Sequence, residues 1–246
     1  MIDLKQDKSV GYLFSIEKGG SGSGNFAHEG RPGEVGGSSS DGEIDGESGD
    51  KDKKSDYQAK KRQWEKNLTQ PELDAITKYT SAGFKAIRRC MNESLGCTEN
   101  VKEYIKNFTK ALDSAPKYEG LTYRGLHFKS FKERDEFLAR VVRDGKLLDK
   151  GFVSTTRHRE LSVIFAGNPK TESNPERVKN ISKSVLIRLN GKTGVDVTNL
   201  SKYKGLEISE VIMKPGREWK LKNIKKDYYG QRHSNTYMTI LNMDEL

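Results

Sequence analysis

The apolar residues between positions 58 and 118 recur every three or four residues, which is the spacing of amphipathic helices. Thr69 and Glu72, with Pro71 between them, form a capping-box sequence that marks a helix start. The apolar side chains after it share one helical face: Leu73, Ile76, Tyr79, Phe84 and Ile87. A second stripe consists of Val101, Ile105, Phe108 and Leu112. The pattern predicts that residues 58–118 are helical.

After about residue 119 the pattern changes to short, often alternating segments bounded by Gly or Pro, which is typical of strands. Six segments show it: GLTYRGL, KGFVSTT, SVLIRLNGK, LEISEVIMKPG, EWKLKNIKKD and TYMTILNM. One helix interrupts them, beginning at a second capping box, Ser130 to Glu133, and ending at Gly145. Helices followed by a strand-rich half predict an α+β architecture.

Composition divides the chain into two parts. Residues 1–57 hold 12 of the 24 glycines and carry 7 Lys+Arg against 12 Asp+Glu, a net charge of −5. Residues 58–246 carry the other 37 Lys+Arg and 23 Asp+Glu, a net charge of +14. We therefore predict a flexible N-terminal tail or linker over 1–57. A folded domain is predicted over 58–246, with a helical lobe (58–118) and a β-rich core (119–246).

The same counts limit the classes of function. Cys90 and Cys97 are too few for a disulfide framework, so a reducing cytoplasm is the expected compartment. The chain has no run of about 18 apolar residues and no signal-peptide pattern, so we expect neither a membrane span nor export. The cationic domain favours an anionic partner: a nucleotide, a nucleic acid or an acidic protein surface. No basic arm or aromatic-basic motif supports nucleic-acid recognition, and no cluster of metal ligands is visible.

Polar residues stand at unusual places in three of the predicted strands. Arg124 lies inside TYRGL, the hydroxyls Ser154-Thr155-Thr156 close FVSTT, and Glu207 and Glu210 bracket the start of SEVIM. Each feature alone is compatible with a structural role, such as a solvated strand residue or a hydroxyl that caps the next turn.

Their order resembles the ADP-ribosyltransferase toxin family, in the branch with an Arg, a Ser-Thr-Ser and a Glu-x-Glu motif. TYRGL is similar to the Arg motif, FVSTT to the hydroxyl motif and SEVIMKPG to the closing Glu strand. The stretch Tyr79-Thr80 and the segment LSVIFAG also agree. The resemblance covers roughly residues 60–246 and implies a small helical lobe packed on a mixed β-sandwich, with an NAD cleft.

What the resemblance implies is an enzyme that uses NAD as its substrate, without a metal ion. Arg124, beside Gly125, would hold the pyrophosphate. Glu210 would stabilise the oxocarbenium-like transition state formed when nicotinamide leaves the ribose. Ser154 would orient Glu210 and hold the nicotinamide ribose. The remaining candidates for NAD binding are Tyr79, Thr155, Thr156 and Phe165, the last as a stacking partner of the nicotinamide ring.

The acceptor of ADP-ribose stays open. Arginine-modifying members of the family carry a second Glu two residues before the catalytic one, where this chain has Ile208. Glu207 is one residue earlier, and the period of two along a strand places it on the other side from Glu210. The leading hypothesis is a mono-ADP-ribosyltransferase acting on a host protein. The alternatives are an NAD glycohydrolase and a catalytically idle virion component.

One stretch of the predicted tail is not simple linker. GNFAHEGRPGEVGGS, residues 24–38, resembles a segment of phage head-morphogenesis, or minor head, proteins. This resemblance implies a phage or prophage origin and a possible attachment to the virion. The expected place of action is the cytoplasm of the bacterial host, reached either from the virion or by synthesis during infection.

Overall fold

The computed structural model describes residues 48–166, 182–202, 208–228 and 237–246. Six α-helices lie in this part of the chain: α1 (Ser48–Asn67), α2 (Gln70–Lys78), α3 (Phe84–Glu93), α4 (Glu99–Ser114), α5 (Phe131–Asp144) and α6 (Arg159–Phe165). A π-helical turn, Tyr79–Gly83, joins α2 to α3. The seven strands are β1 (Tyr118–His127), β2 (Lys146–Asp149), β3 (Val153–Thr156), β4 (Ser184–Asp196), β5 (Glu210–Met213), β6 (Arg217–Tyr228) and β7 (Tyr237–Glu245).

The strands follow the order β1-β3-β5-β4-β7-β6-β2, and β1 also pairs with β4. The long strand β4 connects two sets of strands. Residues 184–194 of β4 pair with β1, and residues 185–190 also pair in parallel with β7. Val195 and Asp196, at the end of β4, pair with β5. All other pairings are antiparallel. The strand-rich part is thus a mixed sheet folded on itself, as the predicted α+β class and sandwich require.

Two main apolar cores hold the parts together. The first lies between α1–α4 and one face of β5, and it includes Phe108 of α4, Phe152 just before β3, and Ile212 of β5. The second lies between the strand layers and α5, with Trp219 fully buried. Helix α6 covers a third, smaller cluster on β4 and β7. The first core places the helical lobe directly over the strands that carry the predicted site.

The predicted helix starts are present. Thr69 and Glu72 form the capping box of α2, and Ser130 accepts a hydrogen bond from the Glu133 N–H at the start of α5. Gly145 ends α5 in the left-handed conformation, with φ of 63°. These ends depend on side chains within a few residues of each other, which is why the sequence shows them.

The apolar stripe that predicted one helix through residues 73–87 is interrupted. At the π-helical turn Ser81 leaves helical geometry, and a Cβ on Gly83 would lie 2.5 Å from the Lys78 carbonyl oxygen. Tyr79 and Thr80, at the start of this turn, are both buried. Thr80 is held from outside the lobe, because its hydroxyl accepts a hydrogen bond from the Lys202 N–H at 3.0 Å.

Two further features differ from the sequence-based expectations. Helix α1 begins at Ser48, inside the segment 1–57 predicted as a flexible tail, and Tyr57 packs edge-on against Tyr118 of β1. Cys90 and Cys97 are joined in a disulfide that closes the end of α3. The expectation of a reducing compartment rested on unpaired cysteines and loses that support. No helix among the described residues is long and apolar enough to cross a membrane.

Candidate active site

Arg124 projects from β1 into the interior and is 2% exposed. Its Nη1 donates to Asp149 Oδ1 at 3.0 Å, and the second oxygen of Asp149 accepts from Trp219 Nε1 at 3.1 Å. The guanidinium Nε is buried and has no hydrogen-bond partner in the described parts of the chain. A buried donor without a partner is costly unless a ligand satisfies it.

A second guanidinium lies within electrostatic range of the first. Arg88 of α3 lies close enough to Arg124 for the two charges to interact, and Asp149 offsets part of that repulsion. Burial, followed by the charge of Arg124, lowers the pKa of Arg88. Two positive groups and one carboxylate therefore leave this end of the site with excess positive charge, which suits an anionic group such as a pyrophosphate.

Glu210 is the first residue of β5 and lies opposite Thr156 of β3 in the strand register. Its side chain is 1% exposed, and its Oε2 accepts a hydrogen bond from the Ser201 hydroxyl at 2.9 Å. Its Oε1 is buried without a partner in the described chain. Burial raises the pKa of Glu210 to about 7, although Ser201 and Ser154 act in the opposite direction.

Tyr79 connects the two ends of the site. Its ring stacks on Phe108 with centroids 4.6 Å apart, and its hydroxyl donates to the Phe152 carbonyl oxygen at 3.0 Å. Burial raises the pKa of Tyr79 to about 12, and the charges of both Glu210 and Arg124 act on the same phenol. The phenol of Tyr79 is therefore within electrostatic range of both the Glu210 carboxylate and the Arg124 guanidinium.

The three hydroxyls of β3 lie in different surroundings. Ser154 faces Tyr79 and Glu210 and interacts with both. Thr155 donates to the Val211 carbonyl oxygen at 2.8 Å, and Thr156 donates to that of Ile208. Both threonine hydroxyls are therefore engaged with the backbone around Glu210. Ser154 is the member of the triplet that reaches the site, while the other two hold β3 against the segment that carries the carboxylate.

Two of the predicted NAD-binding residues have clear packing roles. A Cβ on Gly125 would lie 1.9 Å from the Ser162 carbonyl oxygen, so glycine allows α6 to pack against β1. Phe165, at the end of α6, is partly buried and packs against the core of the helical lobe. Contact of either residue with a nicotinamide ring or a pyrophosphate stays a prediction.

Glu207 lies outside the described residues. Ile208 is 7% exposed and belongs to the helical-lobe core. Ser209 has a positive φ of 48°, and β5 begins only at Glu210. Because residues 208 and 209 are not regular strand, the period-of-two argument about Glu207 does not apply to this segment.

Sequence reasoning missed Arg88, Asp149 and Ser201. Asp149 is the last residue of β2, a four-residue strand that was not predicted, and Ser201 lies in the turn after β4. Arg88 follows the apolar position Ile87 and reads as a solvated helix residue. Of the three, only Arg88 had a sequence feature that could have pointed to the site, since it lies on a helix whose inner face is otherwise apolar. Among the described residues, no group of three His, Cys, Asp or Glu side chains could hold a metal ion.

The family model described as ADP-ribosyltransferase exoenzyme matches residues 54–243. A curated protein from Vibrio splendidus strain 12B01, named as a candidate NAD(+)–arginine ADP-ribosyltransferase, Vis, is 24% identical over 164 residues. The match covers 65% of this chain and 61% of the relative. The chain therefore matches less than two thirds of the length of that relative.

Solved structures share the fold. The crystal structure of Vis with the M6 inhibitor has a TM-score of 0.56 at 22% identity, over 80% of this chain and 82% of that one. The ADP-ribosylating toxin BECa of C. perfringens, solved with NADH, has a TM-score of 0.56 at 22% identity, over 78% of this chain and 47% of that one. Plx2a, an ADP-ribosyltransferase toxin from Paenibacillus larvae, has a TM-score of 0.54 at 18% identity, over 80% of this chain and 96% of that one. At these identities the likeness concerns the fold.

Proposed function

Because the chain belongs to the ADP-ribosyltransferase exoenzyme family, we propose that it is an NAD-dependent mono-ADP-ribosyltransferase. The observation that carries the proposal is a pair of buried atoms without partners in the described chain, Arg124 Nε and Glu210 Oε1. One is a cationic donor and the other an anionic acceptor, and Tyr79 interacts with both residues. NAD offers the complementary groups, an anionic pyrophosphate and ribose hydroxyls.

At the cationic end, Arg124 and Arg88 hold the pyrophosphate of NAD. Two guanidinium groups that repel each other are stabilised by an anion between them, and planar guanidinium groups bind phosphate oxygens in pairs. Asp149 keeps one Nη of Arg124 occupied. The remaining donors of Arg124, including the buried Nε, are directed to the ligand.

At the other end, Glu210 acts on the nicotinamide ribose. Its Oε1 accepts a hydrogen bond from a ribose hydroxyl, and its charge stabilises the oxocarbenium-like cation that develops as the bond to nicotinamide breaks. Ser201 holds the carboxylate in place with a hydrogen bond to Oε2, and Ser154 of β3 interacts with the same carboxylate. The electron pair of the broken bond leaves with nicotinamide, which becomes neutral, so no acid is needed to assist departure.

The relatives indicate the class of acceptor. The name of Vis gives arginine as the acceptor, and one structure of Vis contains agmatine. Exoenzyme S from Pseudomonas aeruginosa was solved in complex with human 14-3-3 protein beta. For this chain we propose a host protein as acceptor. Glu207 is kept as a candidate for contact with it.

We retain three expectations as part of the proposal. Residues 1–57 act as a tail or linker to the transferase domain at 58–246, apart from the helical turns of α1. Residues 24–38, which lie outside the described residues, attach the chain to a phage head. The enzyme then acts in the cytoplasm of the bacterial host, where the Cys90–Cys97 disulfide would be exposed to reduction.

The test uses labelled NAD in a bacterial lysate and compares the wild-type chain with Glu210→Gln. We expect labelled protein and released nicotinamide from the wild type, and a loss of about 10²-fold or more in both for Glu210→Gln, because the neutral amide cannot stabilise the cation. Glu119→Gln, at an exposed position of β1, is the matched control and keeps wild-type rates.

Each other outcome has a definite meaning. Nicotinamide release without labelled protein would identify an NAD glycohydrolase. Wild-type activity in Glu210→Gln would remove Glu210 from the mechanism. No nicotinamide release from the wild type would leave the idle virion component as the better reading.

A further inference from the structure

A histidine and a serine meet at the residue that immediately precedes Glu210 in the chain. His158, two residues after the hydroxyl triplet, has its Nε2 at 2.9 Å from the hydroxyl oxygen of Ser209. Ser209 immediately precedes Glu210 and is 8% exposed, whereas His158 is exposed. The His158–Ser209 pair therefore extends from a solvent-exposed imidazole to the residue next to the buried Glu210.

The backbone fixes this pair. The His158 N–H donates to the Thr156 hydroxyl at 3.1 Å, and that hydroxyl in turn donates to the Ile208 carbonyl oxygen. The Arg157 N–H donates to the Ser209 carbonyl oxygen at 3.2 Å. These bonds hold Ser209 at a φ of 48°, a conformation that side chains other than glycine seldom adopt and that persists only where the surroundings impose it.

Glu210 is poorly placed to take a proton from an incoming acceptor. It is buried, its Oε2 accepts a hydrogen bond from Ser201, and in the proposed function its Oε1 accepts one from a ribose hydroxyl. A neutral hydroxyl that attacks the ribose must lose its proton to some other group. Imidazole is the side chain that most readily accepts a proton near neutral pH.

The charges around the pair favour a neutral acceptor. Ile208, which precedes Ser209, is apolar and buried, and Arg157, which precedes His158, is cationic and lies 3.6 Å from Asp196. A guanidinium acceptor would approach Arg157 as a like charge, within a domain whose net charge is +14 (37 − 23). A side-chain hydroxyl meets no such repulsion.

We propose, resting on the transferase function above, that His158 and Ser209 bind and deprotonate the acceptor, and that the acceptor is a hydroxyl side chain of a protein. The acceptor oxygen forms a bond to the ribose C1″ as the bond from C1″ to the nicotinamide nitrogen breaks. The acceptor proton passes to the Ser209 oxygen, while the Ser209 proton passes to His158 Nε2. His158 enters this step with its proton on Nδ1.

The experiment measures the ratio of transferred ADP-ribose to released nicotinamide in the full chain, with NAD and either N-acetylserinamide or agmatine as a small acceptor. A ratio is independent of how much protein is folded. We expect N-acetylserinamide to be modified by the wild type, and the ratio to fall at least ~10-fold in His158→Gln and in Ser209→Gly, since a general base contributes that much or more. Glycine keeps the backbone conformation of residue 209 and removes only the hydroxyl.

His127→Gln is the matched control. His127 also faces a serine, with its Nδ1 3.2 Å from the Ser184 hydroxyl oxygen, but at the end of β1. Its ratio should equal that of the wild type. An unchanged ratio in His158→Gln would overturn the inference while the transferase function stands.

The acceptor gives a second decision. Modification of agmatine alone, lost in Glu207→Gln, would assign acceptor binding to Glu207 and overturn the inference. Nicotinamide release with neither acceptor modified would overturn it too. If the wild type releases no nicotinamide from NAD, the proposed function itself fails and the inference falls with it.

Discussion

At the scale of single residues, Glu210 carries two opposing requirements. In the proposed function it must be ionised to stabilise a cation, yet it lies almost fully buried, and that burial raises its pKa to about 7. Ionising a carboxylate without solvent lowers the stability of the folded chain unless a ligand supplies the missing partner. The site is therefore less stable when empty than its packing alone would allow, as is common for functional sites.

Glu210→Gln should change how stability depends on pH. The folded pKa lies above the ordinary value of 4.5, so the contribution of Glu210 to stability is fully present below pH 4.5 and is lost as pH rises through about 7. Gln does not titrate. Without NAD, we expect the variant to gain about 3 kcal/mol over the wild type between pH 4.5 and pH 9, measured by urea denaturation at a series of pH values. Parallel pH profiles for the two proteins would contradict the raised pKa.

At the scale of elements, α1 is the link between the N-terminal segment and the sandwich. Trp64 Nε1 donates to the Ala111 carbonyl oxygen of α4 at 3.0 Å. Lys61 is 4% exposed, with its Nζ 2.7 Å from Glu65 Oε1 and 3.7 Å from Asp196 Oδ1 at the end of β4. A surface helix by its polar composition, α1 is thus anchored through one buried cation and one indole.

Two neighbouring lysines of α1 allow a matched comparison. Lys61→Met keeps the apolar stem but leaves Asp196 and Glu65 with less compensation, so we expect a loss of roughly 3 kcal/mol in the free energy of unfolding. Lys60→Met removes a surface ion pair with Asp56, in which the Lys60 side chain is 66% exposed. This change should alter the free energy of unfolding by no more than about 0.5 kcal/mol. Urea denaturation of both variants gives the answer. Equal effects would show that Lys61 does not anchor the helix.

At the scale of the whole molecule, the disulfide bears on where the protein works. Disulfides persist in oxidising compartments and are rare in a reducing cytoplasm. Cys90 and Cys97 are seven residues apart and join the end of α3 to the loop before α4. Arg88 lies on the same helix, two residues before Cys90, so the bond also closes the end of the element that carries the second guanidinium of the site.

Reduction should lower the stability of the wild-type chain. A loop this short contributes about 2–3 kcal/mol in the chain-entropy account, which for a domain of this size is roughly 5–10 °C in Tm. Calorimetry with and without dithiothreitol measures it. The Cys90→Ser, Cys97→Ser double variant should match the reduced wild type and show no response to the reagent. Two alkylatable thiols in the protein purified without reductant would contradict the pairing.

The sequence by itself determined the local features and the order of the motifs. Capping boxes, helical stripes and strand alternation depend on residues a few positions apart, so the starts of α2 and α5 and all strands except β2 could be predicted from the printed letters. The spaced motifs around Arg124, Ser154 and Glu210 indicated the family for the same reason.

Only the tertiary structure decided which distant side chains meet. Arg88 lies within electrostatic range of Arg124, Asp149 accepts a hydrogen bond from one Nη of that guanidinium, and Ser201 donates one to Glu210. The paired residues are 9 to 36 positions apart in the sequence (210 − 201 and 124 − 88). The break at Tyr79–Gly83 and the contact of His158 with Ser209 belong to the same class. Such contacts depend on strand register and on how the helical lobe packs over β3 and β5, and no local pattern encodes either. The sequence thus specifies the helices, the strands and the motif residues, while tertiary packing decides which side chains lie together.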